Sequence, residues 1–136
     1  MLIVTGIVAS ILALLYVKLT FNVIGQRRQH KVGLGDGGHE SLNRAIRAHG
    51  NLAEFAPIGL ILIACFEYNH APYFLTVPLA ILFLAGRILH PMGMKDGNIS
   101  WSPRVKGMKL TLISLIGLSI CNIVWISMII FGYSMA

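Results

Sequence analysis

Acidic side chains are scarce in this sequence: five Asp and Glu stand among 136 residues, and charged residues of both signs make up only 12%. A soluble domain of this size carries about a quarter charged residues, so a water-facing globular surface is excluded. Cysteine occurs only at Cys65 and Cys121. Both fall inside apolar stretches at different depths, which argues against a disulfide and for packing roles. No stretch shows the strict alternation of a membrane barrel strand. The histidines lack the spacing of a metal site, and no nucleic-acid-binding module accompanies the net charge of +6. No metal and no nucleic acid are therefore expected. No basic residue precedes the first apolar run and no small-residue cleavage site follows it, so this segment is expected to remain as a span and not to act as a removable signal.

What is present is apolar: 56% of residues are hydrophobic and mean hydropathy is +0.75. A bilayer span needs about 20 mainly apolar residues. Such stretches occur near 2–21, 52–66, 73–89 and 110–133, the second becoming long enough if its helix begins near Arg44. Only helices and closed barrels satisfy their backbone inside lipid, so the sequence predicts an all-α, four-helix transmembrane bundle forming one domain over residues 1–136. No internal repeat is visible.

Basic residues collect around two of the three connections. Arg27, Arg28, Lys31, Arg44 and Arg47 surround the first, and Lys95, Arg104, Lys106 and Lys109 surround the third. The segment 67–72 and both termini have no Lys or Arg. By the positive-inside rule the first and third loops face the cytoplasm and both termini lie outside.

Helix 1 is expected to continue past the membrane to Lys31, with Lys18 reaching its amine toward water. The glycine run from Gly33 to Gly38 follows no strand and reads as a flexible connector, not a phosphate cradle. Helix 2 is expected to start within residues 40–43 and to kink near Ala53, because Pro57 removes a backbone donor. Helix 3 is expected to stop at residues 87–90 ahead of Pro91. A polar loop over residues 92–103 follows, with Trp101 as an interfacial anchor, and helix 4 begins near Arg104. Ser114, Gly117 and Cys121 form a small-residue face suited to close helix packing.

The informative segment lies at the start of helix 2. Arg44, Arg47, Asn51 and Glu54 are spaced by three, four and three residues and form one stripe descending into the membrane. A carboxylate at that depth is disfavoured by about 2.5–3.5 kcal/mol, so Glu54 must face the bundle interior or a wet cavity. It would pair there with an arginine or with a ligand. Arg27, Arg28, Arg44, Arg47, Arg87 and Arg104 all lie toward one end of their helices and outnumber the acids there. Guanidinium forks bind carboxylates in bidentate fashion, so an anionic ligand and a purely topological charge cluster are both open. His49 lies about 200° around the helix from Arg47 and reads as a contact to a neighbouring helix.

The pattern Arg44-x-x-Arg47-Ala48-His49-x-Asn51-x-x-Glu54-x-x-Pro57 resembles the signature of the membrane-associated proteins in eicosanoid and glutathione metabolism, the MAPEG superfamily. Arg27-Arg28-x-x-Lys31, Arg87-x-x-His90 and Arg104 extend the likeness over all four helices. The resemblance implies a homotrimer with glutathione, as co-substrate, held between subunits at the cytoplasmic end. Arg27, Arg28, Arg44, Arg47, Asn51, Glu54 and Arg87 would bind the tripeptide. Arg104, or Lys106 nearby, would lie by the thiol and favour the nucleophilic thiolate. The chain departs from the pattern at Asn43, Phe55, Met92 and Met94, where relatives carry an acid or tyrosines. That weakens eicosanoid synthesis and leaves glutathione binding better supported than a particular reaction; the expected activity is transfer of glutathione to, or its use in reducing, hydrophobic electrophiles from the bilayer. The look-alikes are small bacterial members, so the resemblance implies a bacterial inner membrane as the location. Two alternatives stand beside it. One is an inactive family member that binds glutathione or lipid. The other is a small four-helix drug/proton exporter, which would need a carboxylate in helix 1 that this chain lacks.

Overall fold

The computed structural model describes residues 1–94 and 101–133, and its four helices follow in order: α1 (Ile3–His30), α2 (Glu40–Tyr68), α3 (Tyr73–Met92) and α4 (Trp101–Tyr133). The described residues contain no strand, and all four helices are long and apolar enough to cross a membrane. At about 1.5 Å per residue, the 20 residues of α3 match the hydrocarbon thickness, while the 28 of α1 and 29 of α2 project beyond it. Large apolar side chains such as Leu14, Phe21, Phe74, Ile123 and Phe131 point outward, the arrangement expected where the surrounding solvent is lipid.

Helix α2 is the hub, touching α1, α3 and α4, whereas α1 reaches α3 but, among the described residues, not α4. The tightest pairing is α3 on α4. A Cβ on Gly86 would lie 2.8 Å from the Gly107 carbonyl oxygen, and one on Gly107 would lie 2.6 Å from the His90 nitrogen, so only glycine lets the two backbones meet there. The expected small-residue face is present but secondary: Ser114 is buried, and Gly117 packs beneath Leu79. The tip of the Phe83 ring from α3 points at Gly59 of α2, filling the space a side chain would need.

Two helix ends differ from expectation. Helix α3 continues through Pro91 to Met92, because a proline in the last turn forfeits one helical bond without having to be followed by further turns. Helix α4 starts at Trp101, ahead of Arg104, with Pro103 in its first turn, where backbone N–H groups have no helical acceptor anyway. Helix α2 runs unbroken through Pro57. Lys95 and the centre of the predicted 92–103 loop lie outside the described residues, as does the side chain of the expected anchor Trp101.

The glycine-rich connection is more ordered than a flexible connector. Lys31 adopts a left-handed cap at the end of α1, and Gly35, Gly37 and Gly38 have positive φ. Arg27 Nη1 donates to the Val32, Gly33 and Gly35 carbonyls at 3.4, 3.2 and 3.0 Å, wrapping the loop around its guanidinium. The Asp36 carboxylate accepts from the Asn43 amide on α2 and from the Gly38 N–H, and these bonds hold its pKa below the ordinary value.

At the opposite end, buried Glu67 closes the bundle. Its carboxylate accepts from the Val4 N–H, the Thr5 N–H and the Thr5 hydroxyl, each at 2.9 Å, so the end of α2 caps the start of α1. Trp125 on α4 donates to the Asn69 carbonyl at 2.9 Å nearby. Losing hydrogen bonds to a charged group is worth about 1.5–3 kcal/mol. Glu67→Ala is therefore expected to lower the unfolding free energy by about that amount in thermal melts of the detergent-solubilised protein. Glu67→Gln, which keeps an acceptor, is expected to recover part of it, and a melt unchanged by Glu67→Ala would refute the capping role.

Candidate functional site

The stripe on α2 forms one wall of a cleft of about 590 Å³ at the end of the bundle that carries the glycine loop. Arg47, Asn51 and Glu54 face Arg104, Lys109 and Leu112 of α4 across it, and His90 of α3 forms its floor. The volume lies within the range of about 300–1,000 Å³ usual for small-molecule sites. Three cations and one carboxylate line it, a balance that selects a ligand with more than one anionic group and one cationic group.

Each wall has a local cause. Arg47, Asn51 and Glu54 share a face of α2 by their spacing. On α4, Val105, Met108, Lys109 and Leu112 repeat at three and four residues and bring an apolar strip with Lys109 in its middle. His90 is held where the backbones of α3 and α4 meet: its Nδ1–H donates to the Arg104 carbonyl at 3.3 Å, and the ring is buried. The Gly86–Gly107 approach is thus what brings His90 beside the start of α4.

Beneath the cleft lies Arg87, 1% exposed although charged. Nε and Nη2 donate to the Thr111 hydroxyl at 2.9 and 2.6 Å, Nη1 donates to Asn51 Oδ1 at 2.9 Å, and the guanidinium lies 4.9 Å from the Phe55 ring centre. Among the described residues no carboxylate pairs with it. A guanidinium only donates, so the Asn51 oxygen must turn toward Arg87 and the Asn51 NH2 group is what remains for the cleft. Read from spacing alone, Asn51 suits a donor or an acceptor; with Arg87 behind it, it offers donors.

The other predicted residues are distributed as follows. Arg44 is turned from Arg47 by about 60° around the helix; it pairs with Glu40 at 2.6 Å and lines a separate cavity between α1 and α3. Arg27 holds the glycine loop, and Arg28 is exposed at the end of α1; neither lines the cleft within the protomer. Arg87 supports the cleft from behind. Arg104 lines it, whereas Lys106 does not. Glu54 is exposed, and among the described residues neither it nor Arg47 has an ion-pair partner, so within the protomer this pair does not serve as a structural salt bridge. His49 behaves as expected: Nε2 lies 3.1 Å from the Thr20 hydroxyl of α1, and its ring centre is 4.4 Å from that of Tyr16.

Lys109 was missed as a cleft residue because it reads as a topological charge, although its spacing from Val105 and Leu112 marks one helix face. His90 had no assigned role beyond the family pattern. Its burial against α4 depends on the two glycines, which no periodicity reveals.

The sequence profile described as the MAPEG family matches residues 5–124. The chain belongs to the MAPEG family. Among curated relatives, the proteins named "Inner membrane protein YecN" from Escherichia coli K12 and from E. coli O6:H1 are each 36% identical over 120 residues, covering 88% of this chain and 90% of theirs. The matched region takes in nearly all of α1, all of α2 and α3 and the cleft residues of α4.

The Arg87–Asn51 bond yields a direct test. Asn51→Leu leaves Arg87 Nη1 only the residue 51 backbone carbonyl, at 3.5 Å, and is expected to destabilise the protein by about 1–3 kcal/mol, whereas Asn51→Asp keeps the acceptor and should melt no lower than the parent. Thermal unfolding in detergent distinguishes them, and equal melts for Asn51→Leu and the parent would show that Arg87 does not depend on this amide.

Proposed function

We propose that this MAPEG protein binds glutathione in the α2–α4 cleft and directs its thiolate at hydrophobic electrophiles that arrive through the bilayer. The observation that carries the reading is the sign pattern of the cleft: Arg47, Arg104 and Lys109 as cations, Glu54 as carboxylate and Asn51 as donor. Glutathione offers two carboxylates, an ammonium and a thiol. Arg47 suits a carboxylate as a bidentate fork, the Asn51 NH2 group suits a carboxylate or carbonyl, and Glu54 suits the ammonium.

Arg104 opens the opposite wall and is assigned to the sulfur. A guanidinium there stabilises the thiolate over the thiol, raising the fraction of nucleophile near neutral pH. In the transfer step the sulfur lone pair forms the new S–C bond, and the electrophile's leaving group departs with the electrons of the bond that breaks. The apolar side of the cleft, with Val105, Met108 and Leu112, is suited to an electrophile dissolved in lipid.

The functional form is a homotrimer in this reading. Glu54 is exposed at membrane depth in the single chain, and a bare carboxylate facing lipid is disfavoured, so a neighbouring subunit must wall the cleft. Arg27 and Arg28 at the end of α1, and Arg44, enter the site only as residues of such a neighbour or of its rim. In this reading the chain lies in an inner membrane, a reading supported by the names of the E. coli relatives, with its basic loops cytoplasmic and both termini outside.

Two measurements test this. Titration with glutathione, following thiolate absorbance, is expected to show binding that Arg47→Ala and Glu54→Gln each weaken about 10- to 100-fold, since a hydrogen bond to a charged group is worth about 1.5–3 kcal/mol. Arg104→Ala is expected to raise the thiol pKa with a smaller loss of affinity, and Arg104→Lys to restore part of it. If Arg47→Ala and Glu54→Gln fold and bind like the parent, the site assignment fails. Mass measurement in detergent is expected to give three chains per particle, and a monomer that still binds glutathione would refute the intersubunit site.

A further inference from the structure

A second cavity, of about 640 Å³, lies on the other side of α2, between α1 and α3, and shares only Met94 with the glutathione cleft. Its α1 wall carries Lys18, Asn22 and Gln26, spaced by four so that they stack on one face. Leu15 and Leu19 of the same face and Ile88 of α3 make the deeper part apolar. From Leu15 to Gln26 the wall runs about 16 Å along the helix, oily toward the membrane centre and polar toward the glycine-loop end.

Three polar groups in this cavity have needs the chain does not meet. Lys18 has no ion-pair partner among the described residues although it lies within a membrane-spanning helix. Gln26 Oε1 is buried and without a hydrogen-bond partner there. Arg44 faces in from α2 with only one of its nitrogens engaged, by a Glu40 side chain that is 75% exposed.

We propose that this groove is a binding site for an anionic phospholipid. The phosphodiester lies between Lys18 and Arg44, a headgroup hydroxyl donates to Gln26 Oε1, and an acyl chain follows Leu15, Leu19 and Ile88 toward the membrane centre. Charge and polarity select this occupant. A free anion leaves the apolar half uncovered, and a choline headgroup is neutral overall with no donor for Gln26. Basic pockets between membrane helices at the loop end suit acidic headgroups for the same reason. The groove's α1 wall is separate from the glutathione cleft, which none of Lys18, Asn22 and Gln26 lines, and within the protomer Arg44 lines only the groove.

Native mass spectrometry of the detergent-solubilised full chain with added phosphatidylglycerol tests the proposal, using phosphatidylcholine of the same acyl chains and glycerol 3-phosphate as comparisons. Phosphatidylglycerol is expected to be retained at least ten-fold better than phosphatidylcholine. Lys18→Met, which keeps the stem and removes the charge, is expected to reduce its retention about ten-fold. Gln26→Leu, which alters no charge, is expected to reduce it by a smaller factor and guards against Lys18→Met acting through the fold. Arg47→Ala, in the other cleft, is expected to leave retention unchanged. Equal retention of the two lipids, or parent-like retention by both Lys18→Met and Gln26→Leu, would overturn the site. Displacement of bound phosphatidylglycerol by millimolar glycerol 3-phosphate would show that the groove reads the headgroup ion alone and would overturn the lipid assignment.

Discussion

Burying Arg87 with no carboxylate paired to it among the described residues is the constraint around which the loop end of this bundle is organised. Removing a guanidinium from water carries a penalty of several kcal/mol even after relaxation, and here it is offset by neutral acceptors and an aromatic face. Thr111 must therefore be a hydroxyl, Asn51 must present its oxygen, and Phe55 must lie beneath the guanidinium plane. These requirements come from three different helices, α4, α2 and, through Arg87 itself, α3. The node fixes the relative rotation of the helices that carry the cleft, and it leaves the cleft's own cations on the outside of that node. An acid in place of Asn51 would neutralise Arg87 but would also set a negative charge in the floor of a site whose cations are otherwise poised for an anion.

The bundle was legible in the sequence because its solvent is lipid. Four apolar runs, the second connection without Lys or Arg and the start of α2 at Glu40 all follow from hydropathy and helix signals, and the structure has them in that order. The stripe Arg47, Asn51 and Glu54 was legible for the same reason that any helical face is: it depends on spacing within one element. What spacing cannot give is the azimuth of the helix that arrives opposite. Arg44 shares the stripe by count yet turns to another cavity, and Arg87, which looks like a fifth ligand arginine, is the floor support. The Gly86–Gly107 contact and the Glu67 cap were invisible because each joins residues from different helices with no local mark of the partnership. The glycine loop was underestimated, since its order comes from Arg27 and Asp36 at its edges and not from its composition.

The two cavities flank α2 like two faces of one wall, and their chemistry differs in kind. One combines both signs of charge beside an apolar strip, the complement of a small ligand that carries both signs itself. The other grades from cationic to oily along the membrane normal and suits an amphiphile that remains in its leaflet. Their common boundary is the start of α2, where Arg44 and Arg47, three residues apart, serve different sides. Under the two proposals, the start of α2 would meet a ligand from the aqueous phase on one side and one from the lipid phase on the other.

The Glu67 cap also has a bearing on the order in which the chain is made. The first turn of α1 exposes backbone N–H groups that have no acceptor within the helix, and the carboxylate that satisfies them lies more than sixty residues later, at the end of α2. During synthesis from the N-terminus, the first span enters the membrane with those groups unmet and stays so until the second has crossed back. The pair α1–α2 is then the first unit in which those groups meet their acceptor, a helical hairpin latched at its open end.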